Sequence, residues 1–126
     1  MTDAPPPPRQ LVATHDFACS LCGASAAVVR LFQAGSAGLI VRESFTSNLE
    51  SALSPASFKH VLAAVTSGDA AALYRCDLEF ASFYCPDCGL SYCGEHWQRW
   101  DVFDDDGWHD SIRGCCPEGH QRMLED

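Results

Sequence analysis

Residues 85–96 read CPDCGLSYCGEH and place two pairs of metal-ligating side chains close together. Cys85 and Cys88 form a Cys-x2-Cys pair, and Cys93 and His96 form a Cys-x2-His pair. Thiolates at this spacing converge on one ion at a tight turn of the backbone, a local structure known as a zinc knuckle. Only four residues separate the two pairs. The stretch therefore predicts two knuckles whose ligands are easily placed on separate ions.

Two further ligand pairs lie on either side of this stretch. Cys19 and Cys22 repeat the Cys-x2-Cys spacing upstream, and Cys116 and His120 form a wider Cys-x3-His pair downstream. Eight ligands fill two tetrahedral sites with none left over, and closed four-ligand sites are structural because a catalytic zinc keeps one position open for water. The sequence therefore predicts two bound Zn²⁺ ions. The predicted ligands are Cys19, Cys22, Cys85, Cys88, Cys93, His96, Cys116 and His120.

The sequence leaves the assignment of the four pairs to the two ions open. In a sequential arrangement the first pair joins the second, and the third joins the fourth. In an interleaved arrangement the first pair joins the third, and the second joins the fourth. Two alternative ligands also exist, since Cys115 adjoins Cys116 and His109 lies in an acidic loop. We choose Cys116 because the Pro117 that follows is typical of a knuckle, and we predict that His109 is an exposed loop residue.

Composition and charge narrow the class of protein. The chain has 17 Asp and Glu against 8 Lys and Arg, for a net charge of −9. An acidic surface without clustered basic residues repels phosphate backbones, so nucleic-acid binding is not expected. No apolar run approaches the roughly 20 residues that cross a bilayer, so membrane insertion is not expected either. The N-terminal residues do not resemble a signal peptide, which predicts a cytoplasmic protein.

The cysteines indicate metal ligands rather than disulfides. Eight cysteines occur in 126 residues. In a secreted chain that density would suggest disulfides, but here nothing points to secretion, and most of the cysteines stand in tight pairs with histidines nearby. We therefore interpret the spacing as metal spacing.

We expect a small, zinc-stabilised α+β domain in which a β-hairpin and a helix are inserted between ligand pairs. The Pro-rich residues 1–14 are predicted to be a disordered leader, and residues 15–126 a single two-zinc domain with residues 23–84 as the insert. Ser54 is a predicted helix N-cap, with the helix ending at Gly68. Other predictions are strands at 26–32, 39–45 and 78–84, a short helix at 70–74, a solvated acidic loop at 101–110, and Cys76 as a small buried side chain.

The order of the ligand pairs resembles the cross-brace of RING-type and related treble-clef zinc fingers. The resemblance covers the ligands and residues 85–122, and it does not extend to the residues between Cys22 and Cys85. It implies the interleaved pairing of ligands. The sequence also departs from the RING pattern at two places. The fourth ligand is Cys88, where RING domains frequently have a histidine, and the last pair has Cys-x3-His spacing.

Five other residues match positions that matter in RING domains. The resemblance implies that Leu21 touches a conjugating enzyme, that Trp97 or Trp100 is an exposed tryptophan, and that Arg122 lies near the arginine that contacts ubiquitin. Pro117 corresponds to the proline after the seventh ligand. The alternative is that Leu21, Pro117 and the tryptophans simply pack around the zinc sites.

Function is predicted from the metal pattern alone. The chain has no Ser-His-Asp grouping, no Gly-rich phosphate loop and no HExxH motif, so an enzyme is the less favoured interpretation. We predict a non-catalytic zinc module that binds a protein partner through aromatic side chains. The alternative is a RING-like ubiquitin-type ligase component that recruits a conjugating enzyme by positioning it. A metalloenzyme with one open zinc site is a third hypothesis.

Overall fold

The computed structural model of the protein describes residues 9–126. These residues form three antiparallel sheets, two short helices and one 3-10 turn at Leu78–Ala81. The strands are β1 (Gln10–Ala18), β2 (Ser25–Ala34), β3 (Ala37–Ser44), β4 (Asn48–Leu53), β5 (Tyr84–Cys85), β6 (Leu90–Ser91), β7 (Gln98–Phe103), β8 (His109–Cys115) and β9 (Gln121–Glu125). The helices are α1 (Pro55–Ser67) and α2 (Ala70–Cys76). The predicted α+β fold is therefore wrong, because the chain is mostly β.

Strands β1 to β4 form an antiparallel meander in which each strand pairs with the next along the chain. Alternate side chains of β2 and β3 enter the core, and Val29, Leu31 and Ile40 are fully buried. This alternation is expected of a sheet with one face on the core. The predicted hairpin is confirmed as β2 and β3. The meander around it was not predicted, since β4 carries few β-branched residues.

Strand β1 changes the predicted domain boundaries. Residues 10–14, which we predicted to belong to the leader, form the first half of this strand and pair with β2. Residues 23–84, the predicted insert, supply β2, β3 and β4 of the sheet in which β1 is the first strand. The alternation of β1 is weak because most of its side chains are exposed at the sheet edge. Residues 1–8 of the predicted leader lie outside the described residues.

Helix α1 begins and ends where the sequence predicts. The Ser54 hydroxyl accepts a hydrogen bond from the backbone N–H of Ser57, and Gly68 closes the helix in the left-handed conformation. Both features satisfy polar groups that a helix leaves free at its ends. The buried face of α1 packs on the sheet, where Phe58 lies directly over Gly38. A side chain at position 38 would occupy the space of that ring.

The segment after α1 differs from the prediction at two points. The short helix predicted at 70–74 is confirmed as α2, and Asp69 caps it by accepting a hydrogen bond from the Ala72 N–H. The predicted strand at 78–84 is wrong, because Leu78–Ala81 forms a 3-10 turn and only Tyr84 enters a strand. The Asp77 carboxylate stabilises that turn by accepting a hydrogen bond from the Glu79 N–H. The prediction for Cys76 is also wrong, since its side chain is exposed.

The C-terminal third of the chain is a β-structure that the sequence pattern did not reveal. The short hairpin β5–β6 carries the second knuckle, and β7, β8 and β9 form a three-stranded sheet. Half of the predicted acidic loop at 101–110 belongs to strands β7 and β8, and a tight turn joins them. Five aspartates fall within residues 101–110, and almost all side chains of β7 face solvent. Composition alone therefore suggested a loop.

Two buried arginines join the parts of the molecule. Arg42 on β3 is fully buried. Its guanidinium donates to the Glu79 carbonyl and to the carbonyl and hydroxyl oxygens of Ser47. It also lies 3.4 Å from the Glu125 carboxylate on β9. Arg122 on β9 is only 9% exposed and donates to backbone carbonyls around the 3-10 turn. The first sheet, the turn and the last strand therefore meet through charge-assisted hydrogen bonds, which are stronger than neutral ones. In residues 9–126 no helix is long and apolar enough to cross a membrane.

Candidate metal centres

The first cluster, site 1, brings together side chains from two distant segments of the chain. Cys19 and Cys22 come from the end of β1 and the turn after it, and Cys93 and His96 follow β6. The Cys22 and Cys93 sulfurs are 3.7 Å apart. The His96 Nδ1 atom lies 3.4 Å from the Cys19 sulfur and 3.2 Å from the Cys93 sulfur. The four ligand atoms therefore surround one point.

The second cluster, site 2, repeats this arrangement with the other four residues. Cys85 and Cys88 belong to the β5–β6 hairpin, and Cys116 and His120 belong to the turn between β8 and β9. The Cys88 and Cys116 sulfurs are 3.7 Å apart. The His120 Nδ1 atom lies 3.3 Å from the Cys88 sulfur, 3.4 Å from the Cys116 sulfur and 3.8 Å from the Cys85 sulfur. Both sites thus offer three sulfurs and one imidazole nitrogen.

These separations match the edges of a tetrahedron around a metal ion. Zinc–sulfur bonds of about 2.3 Å and zinc–nitrogen bonds of about 2.0–2.1 Å place two sulfurs about 3.8 Å apart, and a sulfur about 3.6 Å from a nitrogen. The sulfur pairs at 3.7 Å fit the first value. The sulfur–nitrogen separations of 3.2–3.8 Å scatter around the second. Two Cys3His groups therefore have the geometry to hold a metal ion each.

The ligand pairs are interleaved along the chain. The first pair shares a cluster with the third, and the second with the fourth, so the arrangement is crossed rather than sequential. The decisive contact is between the Cys22 and Cys93 sulfurs, which are separated by 71 residues in the sequence. Site 1 therefore fastens the end of β1 to the segment after β6. Site 2 fastens the β5–β6 hairpin to the C-terminal sheet.

The knuckles are shaped by glycines that follow the second cysteine. Gly23 and Gly89 both have positive φ angles, of 76° and 68°. That conformation costs other residues steric strain but suits glycine. It lets the N–H of each glycine donate to the carbonyl of the first cysteine of its knuckle, at 2.9 Å for Gly23 and 2.8 Å for Gly89. The sequence pattern Cys-x2-Cys-Gly therefore encodes the turn as well as the ligands.

The surroundings of the thiols favour thiolates at two positions and oppose one at a third. Burial raises the pKa of Cys19, but backbone N–H groups around the sulfur outweigh it and lower the pKa to about 6. The same competition lowers the pKa of Cys116 to about 7. Burial dominates at Cys85 and raises its pKa to about 12. A bound cation would offset the effect of burial on the pKa of Cys85, since a thiol that coordinates a metal ion loses its proton.

Both alternative ligands lie outside the clusters. The Cys115 sulfur is directed at the neighbouring Cys116 carbonyl oxygen, 3.5 Å away, and Cys115 belongs to neither group. The His109 imidazole is exposed and lies 3.0 Å from the Asp101 carboxylate. Among residues 9–126, the structure brings potential ligands together only in the two clusters described.

Contacts that support the sites were not visible in the sequence. The Ser20 N–H and hydroxyl both donate to the Ser91 carbonyl, which fixes the first knuckle against strand β6. Tyr92 lies between the two ligand pairs of the central stretch and is buried against Trp97. Interaction with the Cys88 side chain, together with burial, raises the pKa of Tyr92. No spacing rule marks these residues, because their role depends on the crossed arrangement.

The residues singled out by the resemblance to RING domains have different environments. Leu21 is 57% exposed in the first knuckle, and Pro117 is exposed in the last turn. Trp97 is buried and donates its indole N–H to the Phe83 carbonyl, whereas Trp100 is 40% exposed. Arg122 is buried, so its guanidinium is engaged within the chain and does not face a partner.

The fold and the two clusters together define a small, mostly β protein with two Cys3His groups, each of which could hold a metal ion. The chain belongs to the family described as "Domain of unknown function (DUF8328)", whose model matches residues 9–126. No curated protein and no solved structure matches the chain.

Proposed function

We propose that this protein is a non-catalytic interaction module built around two structural zinc ions. The observation that carries the proposal is that each cluster contains four ligand atoms at tetrahedral spacing. Three thiolates and one imidazole are a donor set that suits zinc, and four protein ligands leave no open position for water or substrate. The zinc ions therefore act on the fold and not on a substrate.

The energy of zinc binding explains why such a small chain needs the ions. Structural zinc sites contribute an apparent free energy of about 10–16 kcal/mol at pH 7. The whole free energy of unfolding of a typical domain is about 5–15 kcal/mol. Segments 85–97 and 116–120 have little regular structure of their own, with a two-residue pairing at β5–β6. Their conformation should therefore depend on the metal.

Zinc content is the direct test. Elemental analysis of the purified, reduced protein should give two zinc per chain. The Cys93→Ser variant should lose the ion of site 1, because serine does not supply a thiolate. The Cys76→Ser variant is the matched control, since Cys76 is an exposed thiol outside both clusters and its loss should leave two zinc per chain.

Chelation tests the structural role of the ions. A strong chelator should abolish the near-UV circular dichroism of the buried Trp97 and reduce the far-UV signal of the C-terminal sheet. The four-stranded sheet and α1 have their own apolar core and should keep part of their signal. Less than one zinc per chain, or a spectrum that a chelator leaves unchanged, would contradict the proposal.

Free thiols and the exposed surface support the remaining parts of the proposal. All eight cysteines are unpaired in the structure, and thiolate ligands persist in a reducing compartment, so we propose a cytoplasmic location. A protein partner is proposed because three large aromatic side chains, Trp100, Phe103 and Trp108, are 40–74% exposed. Aromatic residues are enriched at the anchoring points of protein interfaces.

A ubiquitin-type ligase component is the second candidate function. It is supported by Leu21, which projects from the first knuckle with 57% of its surface exposed. The burial of Arg122 and Trp97 weighs against it. The test is discharge of a ubiquitin-like protein from a charged conjugating enzyme. Stimulation of discharge by this protein, abolished in the Leu21→Ala variant, would favour the ligase over the simple interaction module.

A further inference from the structure

The hairpin of β7 and β8 extends away from the core and exposes almost all of its outer half. From Gln98 to Asp110 every residue is exposed except Val102, which is half-buried. The two strands remain paired from Gln98 opposite Cys115 to Phe103 opposite His109. We call residues 100–110 the arm tip. It is an ordered, solvent-facing projection and not an irregular loop.

The turn at the end of the arm is held in one conformation by Asp104. Its carboxylate accepts hydrogen bonds from the N–H groups of Asp106 and Trp108, at 3.0 and 2.9 Å. Its own N–H donates to the Trp108 carbonyl at 2.8 Å. Gly107 completes the turn with a φ of 84°. The neighbouring side chains are therefore presented without a large entropy cost on binding, which is the advantage of a preorganised surface.

The side chains on the arm tip combine exposed aromatic rings with carboxylates. Trp108 is 74% exposed, Phe103 59% and Trp100 40%. The tip also contains five aspartates and no lysine or arginine. Within residues 9–126 the carboxylates of the tip form no group that could hold a metal ion. A solvated metal site therefore does not explain them.

We propose that the arm tip is a docking surface for a Lys/Arg-rich segment of a protein partner. The inference rests on the proposed function as an interaction module and names the chemistry of its partner. Arginine and lysine are attracted to the faces of tryptophan and phenylalanine rings, and the carboxylates add charge complementarity. The same chain already stacks an arginine on an aromatic ring, since the Arg99 guanidinium lies 5.2 Å from the centre of the Phe45 ring.

Other occupants fit the arm tip less well. An anionic membrane or nucleic acid would be repelled by five aspartates. A second copy of this chain would need a basic patch, but Arg42 and Arg122 are buried and Arg30 pairs with Glu43. Arg99 is held on Phe45. Lys59 and Arg75 are exposed on the helices, but the net charge of −9 opposes docking of the acidic tip on a second copy of the chain.

The test measures binding of a synthetic peptide to the full-length, zinc-loaded protein. The probe is a fluorescein-labelled peptide of alternating arginine and alanine, and its glutamate counterpart is the negative probe. Fluorescence anisotropy should show saturable binding of the arginine peptide only. The affinity should fall as the salt concentration rises, since exposed charges are screened. Trp108→Ala and the double variant Asp105→Asn/Asp106→Asn should each weaken binding about tenfold.

Matched variants separate the arm from the general acidity of the protein. Glu50→Gln/Glu95→Gln removes two exposed carboxylates elsewhere, and Leu11→Ala removes an exposed apolar side chain from β1. Both should bind the peptide like the wild type. Equal losses in control and arm variants, or no binding of the arginine peptide, would overturn the inference. So would a concentration-dependent dimer, seen by light scattering, that Trp108→Ala abolishes.

Zinc content measured on the same samples distinguishes this inference from the proposed function. Protein that binds the peptide through the arm tip but holds less than one zinc per chain would contradict the structural zinc sites and leave the docking surface in place. Protein with two zinc and no arm-dependent binding would contradict the docking surface alone. The aspartate variants leave Asp104 unchanged, so the turn that presents the tip stays intact.

Discussion

Replacing Arg122 with methionine should destabilise the protein strongly, because this guanidinium satisfies several buried carbonyls at once. One terminal nitrogen donates to Ala81 at 2.9 Å and to Tyr84 at 2.6 Å. The other donates to Leu78 at 3.1 Å. The chain around these carbonyls leads from the 3-10 turn directly into the knuckle of site 2. Arg122 therefore positions the backbone that carries Cys85.

The magnitude follows from the acceptors that the substitution leaves unpaired. Methionine fills most of the volume of the side chain, so the cost is one of polarity and not of a cavity. Each buried acceptor left without a donor costs about 1–3 kcal/mol. Burial lowers the pKa of Arg122 to about 10, so the group is still charged at neutral pH and its own desolvation offsets part of the loss. With three carbonyls affected, we expect a net loss of about 3–4 kcal/mol.

Urea unfolding of the zinc-loaded protein, followed by the fluorescence of the tryptophans, measures this loss. Arg122→Lys should be intermediate, because one ammonium does not span carbonyls that a planar guanidinium reaches. Arg75→Met is the control, since Arg75 is exposed and its removal should cost less than about 1 kcal/mol. A loss below about 1 kcal/mol in Arg122→Met would refute the structural role. It would also restore the interpretation of Arg122 as a contact for a partner.

Two further substitutions test the packing of α1 by the same unfolding assay. Ser54→Ala removes the acceptor for the Ser57 N–H and should cost about 1 kcal/mol; an unchanged midpoint would show that this cap contributes nothing. Gly38→Ala places a methyl group where the Phe58 ring lies and should cost about 1–3 kcal/mol, because the ring must move out of a packed site. Stability equal to that of the wild type would mean that the ring adjusts freely.

The central β-hairpin and both helices could be predicted because their signals are local. Ser54 and Gly68 mark the ends of α1 by satisfying the free backbone groups of a helix, and these contacts reach only a few residues. The turn between β2 and β3 is similarly local. The strands at the edges and in the C-terminal third escaped prediction. Most side chains of β1 and β7 face solvent, so these two strands lack the clear alternation of a half-buried strand.

The sequence by itself determined which residues are candidate ligands and the turns that present them. A Cys-x2-Cys-Gly segment specifies its own knuckle through the glycine after the second cysteine. Spacing left the pairing of the ligands open, and the tertiary structure decided which pairs meet, because Cys22 and Cys93 lie 71 positions apart in the sequence. It also decided that Arg122 is buried while Trp108 is exposed. Arg122 is buried because its guanidinium donates to carbonyls of a distant segment of the chain, whereas Trp108 is exposed because it lies in the turn at the end of a projecting hairpin.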